Sequence, residues 1–431
     1  MVKSKLLSAS GFMLATKLVG AASGYVLAWW VSQHEGAAAY GRFELALTVL
    51  TMAALGSRLG LDGVLVKWMA ATNVQRLEGI QRRLFFRASA LVLACSLPLA
   101  WLLSDTLGHG LTSWFGDDGL GAAWPLVAMG IPLMAVWGLS SEALRGLSQM
   151  KSHALLQPGI LVAGAVLGMV AFNAPVLEAY GASLAAWCLV ALVLAMRALA
   201  STDHQVIDEG QWGWRAMVST GWPMLLGSAM FLVMSWTDTL LLGHFLGEDQ
   251  VGIYRVAFRM AAVVTLVQAA VNSYAAPLFA ERHALGDATG LRAALTQTTA
   301  MNVAFSIPAF VALVVAPSWW LGWFGEAFEA GRWCLVWLAA GQAVNALCGP
   351  VMNLLNMTGH EREAQRIVWG AAILNVAMNV WAIPRHGIVG AAVATACSMA
   401  VWNVAAAFAV RKHLGLSVLA VMQTFVRGPR P

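Results

Sequence analysis

The sequence predicts an all-α polytopic membrane protein: twelve transmembrane helices in two pseudosymmetric six-helix lobes around a central cavity. Three observations predict it. Of 431 residues, 59% are apolar and only 11% are charged, whereas soluble domains carry about 25% charged residues. Twelve apolar segments reach the ~20 residues that a helix needs to cross a ~30 Å hydrocarbon core. The chain also resembles itself at a near-constant offset. This composition excludes a soluble enzyme, a disordered tail and a secreted disulfide scaffold. The net charge of +5 is not a nucleic-acid signal, because a basic excess in a membrane protein records which loops face the cytoplasm.

The segments follow one another at 8–32, 41–70, 84–107, 121–147, 153–173, 180–198, 216–244, 251–280, 293–317, 331–357, 364–383 and 388–411. The first reads as an uncleaved span, since its apolar character continues past Lys17 to Val31 and outruns a signal-peptide core. Polar or helix-breaking runs separate most of the others: His34-Glu35-Gly36, Thr72 to Arg76, Gly116 to Gly119, Asn173-Ala174-Pro175, Asp203 to Gln211, Gly247 to Gln250, Glu281 to Asp287, Gly359 to Glu363, and Pro384 to Gly387. Most of the 26 lysines and arginines fall on one set of connections, among them Lys3, Lys5, Arg82, Arg83, Arg145, Lys151, Arg282, Arg362 and Lys412. The alternate set holds only Arg42, Arg255, Arg332 and Arg385. By the positive-inside rule both termini are cytoplasmic. Five cysteines, Cys95, Cys188, Cys334, Cys348 and Cys397, lie in apolar stretches without a CxxC and read as small hydrophobes.

Self-comparison divides the chain. Trp114-Phe115-Gly116-Asp117 matches Trp323-Phe324-Gly325-Glu326 at an offset of 209, as Trp124 matches Trp333. Nearer the front the offset is 211: Gly36 meets Gly247, Gly41 meets Gly252, and Phe43 meets Tyr254. The halves are read as 1–198 and 216–412, joined by a cytoplasmic linker at 199–215 and followed by a short tail at 413–431. Six spans is an even number, so both halves enter from the same side. Parallel repeats of this kind build rocking two-lobe transporters.

Here the residues carry a resemblance. Trp222-Pro223-Met224-Leu225-Leu226, Thr237-Asp238-Thr239 with the following Leu-Leu-Leu-Gly, and Val251-Gly252-Ile253-Tyr254-Arg255 resemble the seventh and eighth spans of bacterial oligosaccharide flippases. These form the polysaccharide-transport branch of the superfamily that also holds multidrug exporters and the peptidoglycan-precursor flippase. Ala39-Tyr40-Gly41-Arg42-Phe43, Leu59-Gly60-Leu61-Asp62-Gly63 and Gly387-Ile388-Val389-Gly390 are similar to the same family. The resemblance covers nearly the whole chain. It implies flipping of an undecaprenyl-diphosphate-linked glycan across the bacterial inner membrane, for O-antigen, lipopolysaccharide or another surface polysaccharide. Its expected partners are that lipid, the membrane and other polysaccharide assembly proteins.

An ionisable side chain in a span costs at least ~2.5–3.5 kcal/mol on insertion scales and needs a reason. Lys17, Arg58, Asp62, Asp238 and Arg259 are such residues, with Arg255 one turn from Arg259 toward the rim. At 1.5 Å per residue, Lys17 and Arg58 lie about 5 Å cytoplasmic of mid-span, and Asp238 and Arg259 about 10 Å outward. Salt bridging is the plain reading: Arg58 and Asp62 are four apart on one face, and Asp238 matches Arg259 in depth. The repeat does not duplicate these charges, however; Lys17 meets Ser228, Arg58 meets Ala269, and Asp238 meets Leu27. Cations spread over both halves suit a diphosphate headgroup. Lys17, Arg58, Arg259 and Arg255 are therefore the expected diphosphate-binding residues, and Asp62 and Asp238 the expected switch or coupling residues. The resemblance adds that basic residues on spans 1, 2 and 8 line the cavity of the peptidoglycan-precursor flippase.

The many tryptophans divide by depth. Trp29, Trp30, Trp101, Trp114, Trp319, Trp320 and Trp323 fall near outer ends as an aromatic belt. Trp124, Trp137, Trp187, Trp236, Trp369, Trp381 and Trp402 lie deeper, where an indole can stack on sugar. Gly20-Ala21-Ala22-Ser23-Gly24 reads as a helix-packing face. No phosphate-binding glycine loop or HExxH is present, so the chain is expected to be a transporter without a cofactor, coupled to a proton or sodium gradient or driven by the membrane potential. Two alternatives stand: a cation-coupled multidrug antiporter of the same superfamily, and a membrane glycan polymerase or ligase.

Overall fold

The computed structural model describes residues 2–74, 78–116, 118–200 and 213–417. Arg76, Asp117, Arg427 and Arg430, most of the expected linker and most of the expected tail lie outside these residues. Helices occupy all twelve predicted spans, and the described residues contain no strand. Among the described residues, six helices are individually long and apolar enough to cross a membrane, or eight when two bent pairs are each taken as one span. The rest of the twelve follow from the particular helices. The 54-residue helix Glu361–Leu414 carries two predicted spans and is interrupted at Gly387, whose φ of 61° leaves the helical region. Pro158–Phe172 has 15 residues, or about 22 Å of helix, and is shorter than a bilayer core.

Two compact units form, Met1–Ala229 and Met230–Pro431. In the first, α1 (Val2–His34), α2 (Gly36–Ser57), α3 (Leu61–Val74) and α4 (Glu78–Ser104) lead to the short α5 (Thr106–Phe115) and α6 (Asp118–Gly121). Then come α7 (Trp124–Gly146), α8 (Met150–Leu155), α9 (Pro158–Phe172) and α10 (Val176–Ala198). Helix α7 packs against α2, α3, α4 and α10 and supplies much of the core. Helix α1 packs on α9, where a Cβ on Gly20 would stand 2.6 Å from the Gly159 Cα. Gly20, the first glycine of the expected packing face, stands at this crossing.

Helix α11 (Trp214–Leu246) carries the boundary between the units, which falls within it and not in the 199–215 linker. The physical reason lies at Gly221. A Cβ there would meet the Leu59 carbonyl oxygen at 2.6 Å, so the first half of α11 is drawn onto the α2–α3 break. The second unit continues with α12 (Glu248–Ala261), α13 (Gln268–Ala284), α14 (Ala288–Val315) and α15 (Pro317–Gly322). It ends with α16 (Arg332–Cys348), α17 (Val351–Met357) and α18 (Glu361–Leu414). Helix α16 packs against α12, α14 and α18. Phe279, Leu295, Leu354, Leu355 and Val410 close a core where α13, α14, α17 and α18 meet. Asp287 caps α14, accepting from the Gly290 N–H at 2.8 Å.

The internal repeat holds at the level of the backbone. Gly36 and Gly247 both have φ of 86°. Gly116 and Gly325, in the two Trp-Phe-Gly motifs, also have positive φ, at 67° and 124°. So do Ser148 and Gly359, at 61° and 80° and again 211 residues apart. The second span of each unit is broken in its middle. Arg58 to Gly60 interrupt the first, with Leu59 and Gly60 at φ of 51° and 74°. A 3-10 turn at Ala262–Thr265 interrupts the second, and the helices on either side of this break meet at 46°. The second break is hidden in the hydropathy because the residues around it are apolar, and the first shows there only as the charges of Arg58 and Asp62.

Candidate functional site

The α2–α3 break positions the strongest candidate site. Arg58 ends α2 and Asp62 opens α3, and the Arg58 guanidinium lies 3.1 Å from the Asp62 carboxylate. Both side chains are mostly buried, at 17% and 24% exposure. The Arg58 Nε–H has no hydrogen-bond partner, so the guanidinium keeps a donor in reserve. Gly138 on α7 makes room for it: a Cβ at that position would stand 2.2 Å from the Arg58 Nη1.

Arg58 opens onto a cavity of about 500 Å³ within the first unit, shared with Lys17 from α1 and Arg145 and Glu142 from α7. His153 of α8 and Gln157 complete that wall. Arg145 is held by Glu142 at 2.7 Å, and the His153 Nδ1 lies 3.0 Å from the Ser141 hydroxyl. Trp137 also lines the cavity, and its indole N–H is unpartnered. Three fixed cations thus converge here, with the carboxylates of Asp62 and Glu142 holding two of them. Arg–carboxylate pairs exchange readily for Arg–phosphate pairs of the same fork geometry.

The structure brings together Lys17, Arg58 and Asp62 of the expected site residues. Asp238, Arg255 and Arg259 lie in the second unit. Asp238 is buried and accepts from the Tyr254 hydroxyl at 2.6 Å and the Thr239 N–H at 2.7 Å; these hydroxyl and backbone partners were not expected, the sequence having matched Asp238 with Arg259. Arg255 and Arg259 share α12, with the Arg255 guanidinium 5.4 Å over the Phe258 ring. Arg145 and His153 were missed. The positive-inside rule assigns a basic residue near a cytoplasmic helix end to the loop. The available signal was Glu142 three residues before Arg145, an ion pair at the end of an apolar helix.

One expectation follows directly from Gly138. Gly138→Ala should leave folding nearly unchanged, because the atoms it meets are the free end of a long side chain. It should nonetheless displace the Arg58 guanidinium and weaken the binding of inorganic pyrophosphate several-fold, read by calorimetry on the purified protein. Unchanged binding would show that the position of Arg58 does not matter.

Residues 9–283 match the family described as polysaccharide biosynthesis protein, and residues 223–381 match the MatE family. A probable flippase of Haloferax volcanii, AglR, is 23% identical over 420 residues, covering 95% of this chain and 84% of that protein. A probable low-salt glycan biosynthesis flippase of the same organism, Agl15, is 32% identical over 171 residues. That match spans 39% of this chain and 36% of Agl15, about a third of its length. Among solved structures, the lipid II flippase MurJ in an inward closed conformation superposes with a TM-score of 0.73 at 10% identity, covering 99% of this chain and 94% of the other. An inward-facing multidrug resistance MATE family transporter superposes at 0.71 and 13% identity, covering 95% and 96%. At these identities the likeness is one of fold.

Proposed function

The chain belongs to the polysaccharide biosynthesis protein family, and on that premise we propose that it flips a polyprenyl-diphosphate-linked oligosaccharide between membrane leaflets by alternating access. The carrying observation is the cavity on which Lys17, Arg58 and Arg145 converge. A diphosphate cannot cross hydrocarbon unaided, and these cations replace its hydration with charge-assisted hydrogen bonds. In the finer reading the carrier is undecaprenyl diphosphate, the membrane is the bacterial inner membrane, both termini are cytoplasmic, and the glycan moves outward for surface polysaccharide assembly. The chain acts as a transporter and not as an enzyme. A cationic cavity is a poor host for the cationic cargo of a multidrug antiporter, which disfavours that reading of the MATE-like fold.

The headgroup enters from the cytoplasmic leaflet and meets Lys17 and Arg58, with Arg145 joining them. As the lobes rock, Arg259 takes over part of the charge, with Arg255 at the rim. Asp62 holds Arg58 in the empty state. Asp238, in the second unit, is with Asp62 a position at which a proton or sodium gradient can act.

Purified protein in liposomes containing a fluorescent polyprenyl-diphosphate glycan tests this scheme. Lys17→Gln should weaken loading from the cytoplasmic face. Arg259→Gln should leave loading intact and slow the appearance of glycan on the far face about tenfold, the scale of one charged hydrogen bond. Wild-type protein that moves a lipophilic cation but no lipid-linked glycan would overturn the proposal in favour of the antiporter.

A further inference from the structure

The second unit has a cavity of its own beside the break of its second span. Its volume is about 340 Å³, and Thr265, Gln268, Asn272, Asn345, Asn353 and Trp402 line it. Asn403 is the remaining amide on its wall. The cationic cavity of the first unit stands in the corresponding place, where the broken second span faces the fourth. There Arg58 and the α7 residues Trp137 to Arg145 form the wall. Here the counterparts are Thr265 to Asn272 at the 3-10 break and Asn345 to Asn353 across the α16–α17 break. The two halves therefore keep a pocket in one place and fill it with different chemistry. No side chain lining this second cavity is ionisable.

Five amides around one cavity inside a membrane unit call for a reason, since burying polar groups is unfavourable unless they are paired. Packing accounts for part of them. Gln268 and Asn345 exchange two hydrogen bonds, both at 3.3 Å, and the Asn403 amide N–H donates to the Met399 carbonyl at 2.8 Å. It does not account for the rest. The Asn272 carbonyl oxygen and the Trp402 indole N–H are buried without any partner. An unpaired acceptor and an unpaired donor on one wall suit a ligand group that both donates and accepts. Neutral amides offer no affinity for phosphate comparable to a guanidinium, but they match hydroxyl groups in both directions. The indole adds an apolar face beside its donor. The volume is at the lower end of the 300–1,000 Å³ or so typical of small-molecule pockets.

We propose that this amide-lined cavity is a carbohydrate subsite, which takes the hydroxyl groups of the cargo's sugar while cations elsewhere in the chain take its diphosphate. The inference rests on the glycan-lipid reading above and deepens it. It gives the asymmetry between the halves a purpose: one pocket reads charge and the other reads sugar.

The test uses full-length protein in nanodiscs and four probes. These are sugar-free undecaprenyl diphosphate and the same lipid bearing one N-acetylglucosamine, glucose or galactose. The wild type should bind at least one sugar-bearing lipid more tightly than the sugar-free one. Asn353→Leu and Asn272→Leu, near-isosteric and apolar, should each weaken that lipid about three- to tenfold and leave the sugar-free lipid within twofold. Melting curves of both variants guard against misfolding. Wild-type protein that binds all four probes equally would overturn the subsite and leave the diphosphate reading standing. Variants that lose all four probes together would also overturn it, by showing a structural role. Wild-type protein that binds none of them would overturn the glycan-lipid reading and the subsite with it.

Discussion

Arg58→Gln combined with Asp62→Asn should insert and fold normally and reduce flipping by two to three orders of magnitude. The double substitution matters because removing the arginine alone would leave a mostly buried carboxylate without its partner, which costs about 3–5 kcal/mol. With both neutralised the mutual attraction and the desolvation penalty disappear together, so the fold is little affected. Cargo binding is a different matter. A bidentate guanidinium contributes two charge-assisted hydrogen bonds, each about 1.5–3 kcal/mol. Losing both, with partial compensation by the glutamine amide, amounts to roughly 3–4 kcal/mol, or on the order of 10²–10³ in rate at subsaturating cargo. If the pair were only a structural bridge, the neutral double variant would flip glycan as the parent does. Flipping rate in proteoliposomes, normalised to folded protein, separates the two outcomes.

Gly60→Ala should remove most of the folded protein. Gly60 has φ of 74°, and a Cβ there would stand 2.1 Å from the Gly221 carbonyl oxygen and 2.8 Å from the Leu225 nitrogen. The left-handed backbone costs a side chain about 1–2 kcal/mol. The clash is with backbone, which cannot swing aside, and overpacking adds about 1–3 kcal/mol. Together these consume a large part of a typical total stability of about 5–15 kcal/mol. Gly36 supplies the control. Its φ is 86° and nothing lies within 4 Å of a Cβ there, so Gly36→Ala should cost only the backbone part. Detergent melting curves should show a clearly larger drop for Gly60→Ala. Equal drops would mean that the approach of α11 to the break is not what requires the glycine.

The positions of the twelve spans were legible because length and hydropathy alone decide whether a segment crosses a bilayer. The repeat was legible because the positive-φ turns at Gly36 and Gly247, and in the two Trp-Phe-Gly motifs, constrain residue type. The helix breaks were not. Val263 and Val264 are as apolar as their neighbours, and at Leu59 the flanking Arg58 and Gly60 mark a charge and a glycine but not a break, which only the backbone geometry shows. The unit boundary inside α11 depends on a long-range contact at Gly221 that no local pattern encodes. Of the first cavity, Lys17, Arg58 and Asp62 could be read because a charge in an apolar run stands out. Arg145 lies near a helix end, where a cation needs no explanation. The amides of the second cavity come from positions between 268 and 403, and no window contains more than a few of them.

The break between α2 and α3 also gives the Arg58–Asp62 pair an electrostatic setting. Arg58 caps the carbonyl end of one half-helix and Asp62 sits in the first turn of the next. Peptide dipoles leave a partial negative charge at the first of these ends and a partial positive charge at the second. Each side chain therefore neutralises the pole on which it stands, as well as its partner. An anion that pulls Arg58 away uncovers only the negative pole, while Asp62 stays over the positive one, so both the bare pole and the carboxylate then repel the anion. Asp62→Asn would leave the positive pole uncovered from the start. Such a protein should hold its anionic cargo more tightly and let it go more slowly, so the carboxylate serves release more than capture.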